Sequence, residues 1–420
     1  MLSVAQAEAL VLELVRPPDP NSAAAIETVP LEAALGRVLA LPVQANLDFP
    51  HWDNSSMDGY AVRYADIKGS SDERPVQLAL VEEIPAGTAP QKTVGPGQTA
   101  RILTGSMLPS GADTVVMQEN TQRQGDQVSI LKPAQLGQNI RKQAAFYRAG
   151  ARLLEAGTEL AGPELAALAA ARCTPVSVYR RLRVAVFSTG DELVALQELP
   201  QEQPLLPGQI IDSNYLGLVA LVQQLGAEPL SLGIVRDDPT ALKTTMLQAL
   251  ASADVVISSG GVSVGDYDYV DQMLTDLGAT LHIRAVAIKP GKPLTVATVE
   301  RPEGRKLYFG LPGNPVSSMV SFWRFVQPAL RKLSGRLGPW QPQFVQAIAT
   351  TQLKAAGQRE SYLWGKLSPN QGNLQFAPLG SSHNSGDLIS LAGANALAVL
   401  SVGQTVEAGE PVSVMLLREW

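Results

Sequence analysis

Cysteine and histidine are almost absent. One cysteine (Cys173) and three well-separated histidines (His51, His282 and His383) stand among 420 residues. That scarcity excludes a disulfide framework within the chain and a Cys/His zinc centre. Cys173 follows the alanine-rich stretch Ala166–Arg172 and reads as a buried, inert thiol, not a nucleophile. There is no excess of positive charge: 33 Lys+Arg against 39 Asp+Glu give a net charge of −6. Nucleic-acid binders show a basic face, so no nucleic-acid partner is expected. No apolar run approaches the roughly 18 residues of a membrane span. The opening MLSVAQAEALVLELV lacks the basic flank and cleavage site of a signal peptide. The expectation is a soluble, cytoplasmic protein without a membrane partner. Any metal must be a hard cation held by carboxylates and phosphates, Mg²⁺ before Zn²⁺.

What is present is globular in character, with 45% hydrophobic and 17% charged residues. The length exceeds one ordinary core and fits about two to four domains. Residues 1–40 read as two short helices, Val4–Val15 and Leu31–Leu39, separated by the breaker-rich stretch Pro17–Ser22. From Asp48 to Gln143, short β-rich runs alternate with Gly/Pro turns, which predicts a β module of hairpins. A helix returns at Pro163–Arg172. Between 179 and 330, apolar β-branched runs (Leu182–Phe187, Asp254–Ile257, Thr295–Ala297, Leu307–Phe309) alternate with helical patterns. That alternation predicts a mainly parallel sheet covered on both faces. From Gly335 onward the chain is again strand-like. The predicted fold is multidomain α+β. A discontinuous helical/linker domain (1–47 and 144–178) carries a β-rich insert (48–143). A central α/β domain (179–332) and a small C-terminal β-barrel-like domain (333–420) follow.

In the α/β stretch, three polar loops follow strands. Ser188-Thr-Gly-Asp-Glu192 follows Val184–Phe187, and Ser258-Ser-Gly-Gly-Val-Ser-Val-Gly-Asp-Tyr-Asp268 follows Val255–Ile257. Gly310-Leu-Pro-Gly-Asn-Pro-Val-Ser-Ser318 follows Leu307–Phe309. Ligands of open parallel sheets lie outside the carboxyl ends of the strands, so these loops should converge. Glycines admit backbone N–H groups, serines add donors and helix N-termini favour anions. Together they describe a phosphate-binding crevice. Neither a P-loop nor a G-x-G-x-x-G fingerprint is present, which removes the main support for an NTPase or a dinucleotide oxidoreductase. Lys289-Pro-Gly-Lys-Pro293 sets two positive charges on a stiffened turn suited to a dianion. Asp191, Glu192, Asp266 and Asp268 match the hard-cation requirement. A further segment, Asp48–Val62, packs acids, an amide and hydroxyls beside aromatics at the junction with the β insert; a capped domain-junction turn would use the same residues.

Seven motifs then occur in order: DNSSMDGYAVR, ARILTGSMLPSGADTVVMQE, FSTGDEL, GIVRDDP, SSGGVSVGDYDYV, KPGKPL and GLPGNPVSS. With them the chain resembles, over nearly its whole length, the MoeA/gephyrin E-domain family of molybdopterin molybdenumtransferases. The resemblance implies a four-domain homodimer whose α/β domain is molybdopterin-binding-like. Its activity would be release of AMP from adenylylated molybdopterin with molybdate insertion, using Mg²⁺. By the same resemblance Asp58 and Thr104 lie across from the α/β domain, Glu192 and Asp268 are the Mg²⁺ acids, and Asp237 shares their pocket. Lys289 and Lys292, with Ser317, hold molybdate or the pterin phosphate. The implied substrate-binding set is Ser188, Thr189 and Gly190 in the first loop, with Asp212, Ser213 and Asn214 ahead of a helix. Ser259, Gly260, Gly261, Ser263 and Gly265 belong to the second loop, and Pro312, Gly313 and Asn314 to the third. Ser385 would close the anion site from the dimer partner.

The chain departs from the family pattern at three places. An acid pair is replaced by Ala145-Phe146, a last-domain arginine by Trp364, and a lysine by Ala285, next to Arg284. Two alternatives accompany the transferase: a non-catalytic dimeric scaffold that binds molybdopterin, and the preceding adenylyltransferase.

Overall fold

A computed structural model describes residues 1–200, 202, 204–261, 269–380 and 384–418, the side chain of Tyr269 excepted. Helix α1 (Val4–Leu14) starts at a reciprocal cap in which Gln6 N–H donates to Ser3 Oγ at 3.2 Å and Ser3 N–H to Gln6 Oε1 at 3.0 Å. Its apolar residues Val4, Ala7, Val11 and Leu14 share one buried face. That face packs into the core of the α/β domain and not against the rest of residues 1–47. The expected helix Leu31–Leu39 does not form. A single 3₁₀ turn, Leu31–Ala33, is stopped by Gly36 at φ +70°, after which Val38 and Leu39 make bridges to Glu159 and Val178.

The β insert contains β1 (Gly59–Val62), β2 (Val76–Ile84), β3 (Gln98–Ile102), β4 (Thr114–Met117), β5 (Thr121–Gln124) and β6 (Gln127–Ile130) in one sheet ordered β4-β1-β3-β2-β6-β5. It is not a row of hairpins as expected, because β2 and β3 run parallel. A helix, α2 (Gly162–Ala170), then returns the chain to the first domain, where 26–29 pairs antiparallel with 176–179. Cys173 is buried there, as its neighbours implied.

The α/β domain comprises β7 (Arg183–Thr189), α3 (Ser213–Gln224), β8 (Glu228–Val235), α4 (Pro239–Ser252), β9 (Val255–Ser259), α5 (Tyr269–Asp276), β10 (Thr280–Ala285), β11 (Ile288–Lys289), β12 (Pro293–Val299), β13 (Lys306–Leu311) and α6 (Pro315–Ser321). α6 continues through a π-helical turn, Phe322–Val326, into α7 (Gln327–Leu333). The sheet order is β8-β7-β9-β13-β12-β10, with β8, β7, β9 and β13 parallel, β12 antiparallel to β13, and β10 antiparallel to β12. Alternation along each strand sends side chains to two cores. Val184, Val186, Ile257 and Phe309 meet α1, α3 and the 315–333 helix, whereas Ala185, Phe187, Val256 and Tyr308 meet α4 and α5. Both faces are therefore covered, as the continuous apolar runs required.

The last domain forms a barrel from β14 (Phe344–Ala349), β15 (Glu360–Asn370), β16 (Asn373–Pro378), α8 (Leu388–Ala392), β17 (Ala396–Leu400) and β18 (Pro411–Leu416). The strand order β15-β16-β14-β18-β17 closes because the long β15 pairs with β17 as well as β16. β11 of the α/β domain adds to this barrel in parallel on β15.

At the amino end of the parallel strands, Asp254 ties the sheet to the linker before it. Its carboxylate accepts from Arg180 Nη1 at 2.8 Å, Arg180 Nη2 at 2.7 Å and Arg183 N–H at 2.9 Å. Burial pushes this carboxyl up, but the two Arg180 bonds and the Arg183 amide carry it below its ordinary value. A lowered native pKa gives stability that is full above the unfolded-state value and lost as pH falls through the native one. Asp254→Asn should therefore cost about 2 kcal/mol at pH 7. In denaturant titrations the gap to wild type should narrow as pH falls below about 4; a constant gap would mean the charge is immaterial.

Candidate functional site

Three loops leave the carboxyl ends of β7, β9 and β13 and meet. Gly260 N–H donates to Leu311 O at 3.1 Å, which holds the second loop to the third strand. Asn214, in the first turn of α3, donates through Nδ2 to Ser259 Oγ at 2.7 Å and to Gly313 O at 2.8 Å. Asp212 caps that helix by accepting from Tyr215 N–H at 3.1 Å. Gly260 has φ +90°, and a Cβ there would stand 2.4 Å from Thr189 O. The loops share one space because this position carries no side chain.

Between them lies a cavity of about 520 Å³. From the first loop it is lined by Thr189, Gly190 and Glu192, and from α3's start by Asp212, Ser213 and Asn214. Ser259, Gly260 and Gly261 come from the second loop, and Pro312, Gly313, Asn314 and Ser317 from the third. Asp237 completes the rim. Ser188 is buried just beneath, at the end of β7. Among the described residues, Thr189 Oγ1, Ser188 Oγ and Asn214 Oδ1 are buried with no hydrogen-bond partner, so polar capacity is left over where the loops converge. Ser263, Gly265 and Asp268, together with Asp266, lie outside the described residues.

Acids gather on one side. Asp237 N–H donates to Asp191 Oδ1 at 3.2 Å, and the Glu192 carboxylate folds back to within 2.6 Å of where a Cβ on Gly190 would stand. Burial, then the charges of Asp191 and Glu192, push the Asp237 carboxyl above its ordinary value. Like charges held this close fit a site that receives positive charge from elsewhere. Among the described residues no three such groups converge tightly enough to hold a metal ion by themselves.

The remaining expected residues lie apart from the cavity lining. Lys289 and Lys292 are exposed on their turn, with Pro293 reaching the cavity. Asp58 and Thr104 form a unit of their own on the insert, where Asp58 Oδ1 accepts from Thr104 N–H at 2.7 Å and from its hydroxyl at 2.8 Å. These bonds hold the Asp58 carboxyl below its ordinary value. Ser385, expected to reach the site from a partner, has its carbonyl beside the third loop of its own chain, where it accepts from Val316 N–H at 3.0 Å. Trp364, where the family pattern has an arginine, is fully buried and donates through its indole to Ser390 Oγ at 2.8 Å.

Sequence reasoning missed an apolar wall, Leu193, Ile210 and Ile211. Fifteen intervening residues separate Leu193–Val194 from Ile210–Ile211, yet the two pairs lie parallel. The one available signal was Ile210-Ile211 standing directly before Asp212-Ser-Asn. A second cavity, of about 370 Å³ and lined by Arg331, Arg336 and Glu159, sits at the far end of α3 and contains none of the expected residues.

An open α/β sheet whose glycine loops meet in a crevice beyond the strands' carboxyl ends has the architecture of an α/β ligand-binding domain. Comparison with known proteins makes the class specific. Residues 2–171 match the MoeA N-terminal region (domain I and II), 185–332 a probable molybdopterin binding domain, and 346–417 the MoeA C-terminal region (domain IV). The chain is similar to the molybdopterin molybdenumtransferase of Nostoc sp., at 54% identity over 99% of this chain and 94% of that protein. It is also similar to that of Haemophilus influenzae, at 35% identity over 90% of each. A solved MoeA structure from Pyrococcus horikoshii superposes with a TM-score of 0.82 at 29% identity, over 99% of this chain and 100% of that one. The chain belongs to the MoeA family.

The close approach at Gly260 is testable. Gly260→Ala should lower stability by about 1–3 kcal/mol, adding a backbone clash to a left-handed conformation. Gly208→Ala supplies the comparison, since Gly208 has φ +88° but nothing within 4 Å of its absent Cβ. Equal losses in thermal denaturation would show that contact between the loops contributes nothing.

Proposed function

We propose that this chain is a cytoplasmic molybdopterin molybdenumtransferase, which takes adenylylated molybdopterin and molybdate and releases AMP as molybdenum enters the dithiolene. One observation carries the reading: a single cavity joins partnerless buried polar atoms at its floor to a cluster of acids at its rim. The floor suits the polar edge of a pterin, and the Leu193, Ile210 and Ile211 wall suits its ring. Loop amides and the Ser317 hydroxyl in the first turn of the 315–333 helix offer donors to phosphate.

Glu192 and Asp237 fit Mg²⁺, which takes one or two carboxylates and leaves its other positions to phosphates and water. Asp268 is the further carboxylate we assign to it. When bound, Mg²⁺ would supply Lewis-acid polarisation of the adenylyl phosphate. The chain's own part is to orient that phosphate against the loop amides, with the apolar wall flanking the cavity on one side. Lys289 and Lys292 offset the charge of the incoming oxyanion, and Ser317, at the cavity edge, donates to it. In the same chain Asp58 and Thr104 do not line this cavity, which supports a homodimer in which each insert serves the partner's site.

Glu192→Gln should leave the fold intact and lower Mg²⁺-dependent AMP release by about a hundredfold or more. Activity within a few-fold of wild type would remove Glu192 from the site, and a wild type that releases no AMP would favour a scaffold. Shared sites predict recovery by mixing. Inactive Asp58→Ala and inactive Glu192→Gln, after subunit exchange, should regain at most about half of wild-type activity per heterodimer, because one site is restored and the other carries both lesions. No recovery despite demonstrated exchange would place the whole site within one chain.

A further inference from the structure

Lys289 and Lys292 are exposed, but the turn between them is not: Pro290 and Gly291 are buried. One side of the turn rests on the 315–333 helix. Gly291 has φ +108°, and a Cβ there would stand 2.8 Å from Ser321 Oγ and 3.4 Å from Ser317 O. The other side is strand β11, which pairs with β15 so that Ile288 faces Glu360 and Lys289 faces Ser361. Glu360 N–H donates to Ala287 O at 3.0 Å, and Arg359 Nη1 to Ile288 O at 3.1 Å. The backbone that carries the two lysines is therefore held in place by how the helix sits against β15.

Those two elements are joined by Arg324. It lies in the π-helical turn Phe322–Val326, a geometry that recurs where a helix side chain must leave the regular track. Its side chain is 8% exposed and forms a two-pronged pair with Glu8 of α1, Nη2 donating to Oε2 at 3.1 Å. Arg324 Nε donates to the Tyr362 hydroxyl at 3.0 Å, which donates onward to Glu360 Oε1 at 2.6 Å. Burial pushes the Tyr362 hydroxyl far above its ordinary value, so it remains a donor. Glu360 is the residue opposite Ile288, one position from Lys289. A polar relay thus crosses an otherwise apolar core and ends on β15, at the residue opposite Ile288 of β11, the strand that carries the lysine turn.

We propose that Arg324 is a positioning residue for anion capture: through Tyr362 and Glu360 it locks β15 against the 315–333 helix and so aims Lys289 and Lys292 at one oxyanion. This rests on the transferase reading for its substrate, molybdate, and on the hydrogen-bond relay for its geometry. The relay never touches the anion. A fixed pair of charges gains more from a dianion than a wandering pair, since the ordering cost is already met in the folded protein.

The test uses the full-length protein and Tyr362→Phe, which keeps the ring and breaks the relay. Equilibrium binding of molybdate alone, by calorimetry, should weaken about fivefold, the size of one net hydrogen bond. The molybdate concentration for half-maximal insertion should rise by the same factor. AMP release at saturating molybdate should stay within about twofold of wild type, and the melting temperature within a few degrees. Should that variant fail to fold, Glu360→Ala, which removes the acceptor at the relay's outer end, is expected to give the same split. Unchanged molybdate affinity in the folded variant, or a fall in maximal rate and melting temperature with half-saturation unmoved, overturns the proposal. If wild type releases no AMP, the transferase reading fails by itself, while calorimetry with molybdate still decides the relay.

Discussion

At Gly260 the chain leaving β9 passes so close to Thr189 that a methyl group has no room. The geometry of the cavity depends on that approach. It lets the second loop donate to Leu311, and it keeps Ser259 and Gly313 within reach of the single Asn214 amide. The cost is a backbone in the left-handed region and several buried polar atoms without protein partners. Both are tolerable because the sheet beneath is buried on two faces and cannot shift without emptying two cores.

Arginines make the joints between modules. Arg180 reaches from the linker to Asp254 at the base of β9. Arg336, after α7, holds Glu159 of the first domain at 2.7 Å and donates to the last carbonyl of the α3 end, Leu225. Arg324 joins α1 to the barrel. A planar fork with several donors can satisfy a carboxylate and a further acceptor at once, which a lysine cannot do in a fixed plane. Asp191, Glu192 and Asp237 are left out of these joints: Glu192 and Asp237 line the cavity, and Asp191 accepts from the Asp237 amide.

Much of this was legible in the residues. Runs such as Val184–Phe187 and Val255–Ile257 are apolar on both faces, and only strands covered on both sides need that. The loops after them could then be placed, because strand direction decides which end collects ligands. What could not be read depended on long-range pairing. Leu31–Leu39 has helical spacing, but Val38 and Leu39 find strand-like partners at Glu159 and Val178. The insert's turns looked like hairpins, yet β2 turns away to lie parallel to β3. Leu193, Ile210 and Ile211 form one wall although sixteen positions part the first two, and no local pattern reports that. Nor does any local pattern report that the Ser385 carbonyl rests on Val316 N–H, beside the third loop.

Barrel closure has an implication for how the modules can be separated. β15 spends one end on β16, its middle on β17, and its first two residues on Ile288 and Lys289 of the preceding domain. An excised segment spanning 185–332 would retain every glycine loop but would carry a two-residue strand with no neighbour to pair with. Such a fragment keeps the three-loop cavity while losing the strand contact that anchors the turn carrying Lys289 and Lys292. Recombination that exchanged the final domain for another barrel would have to reproduce the register Ile288 to Glu360, so the two modules are constrained to be inherited as a matched pair.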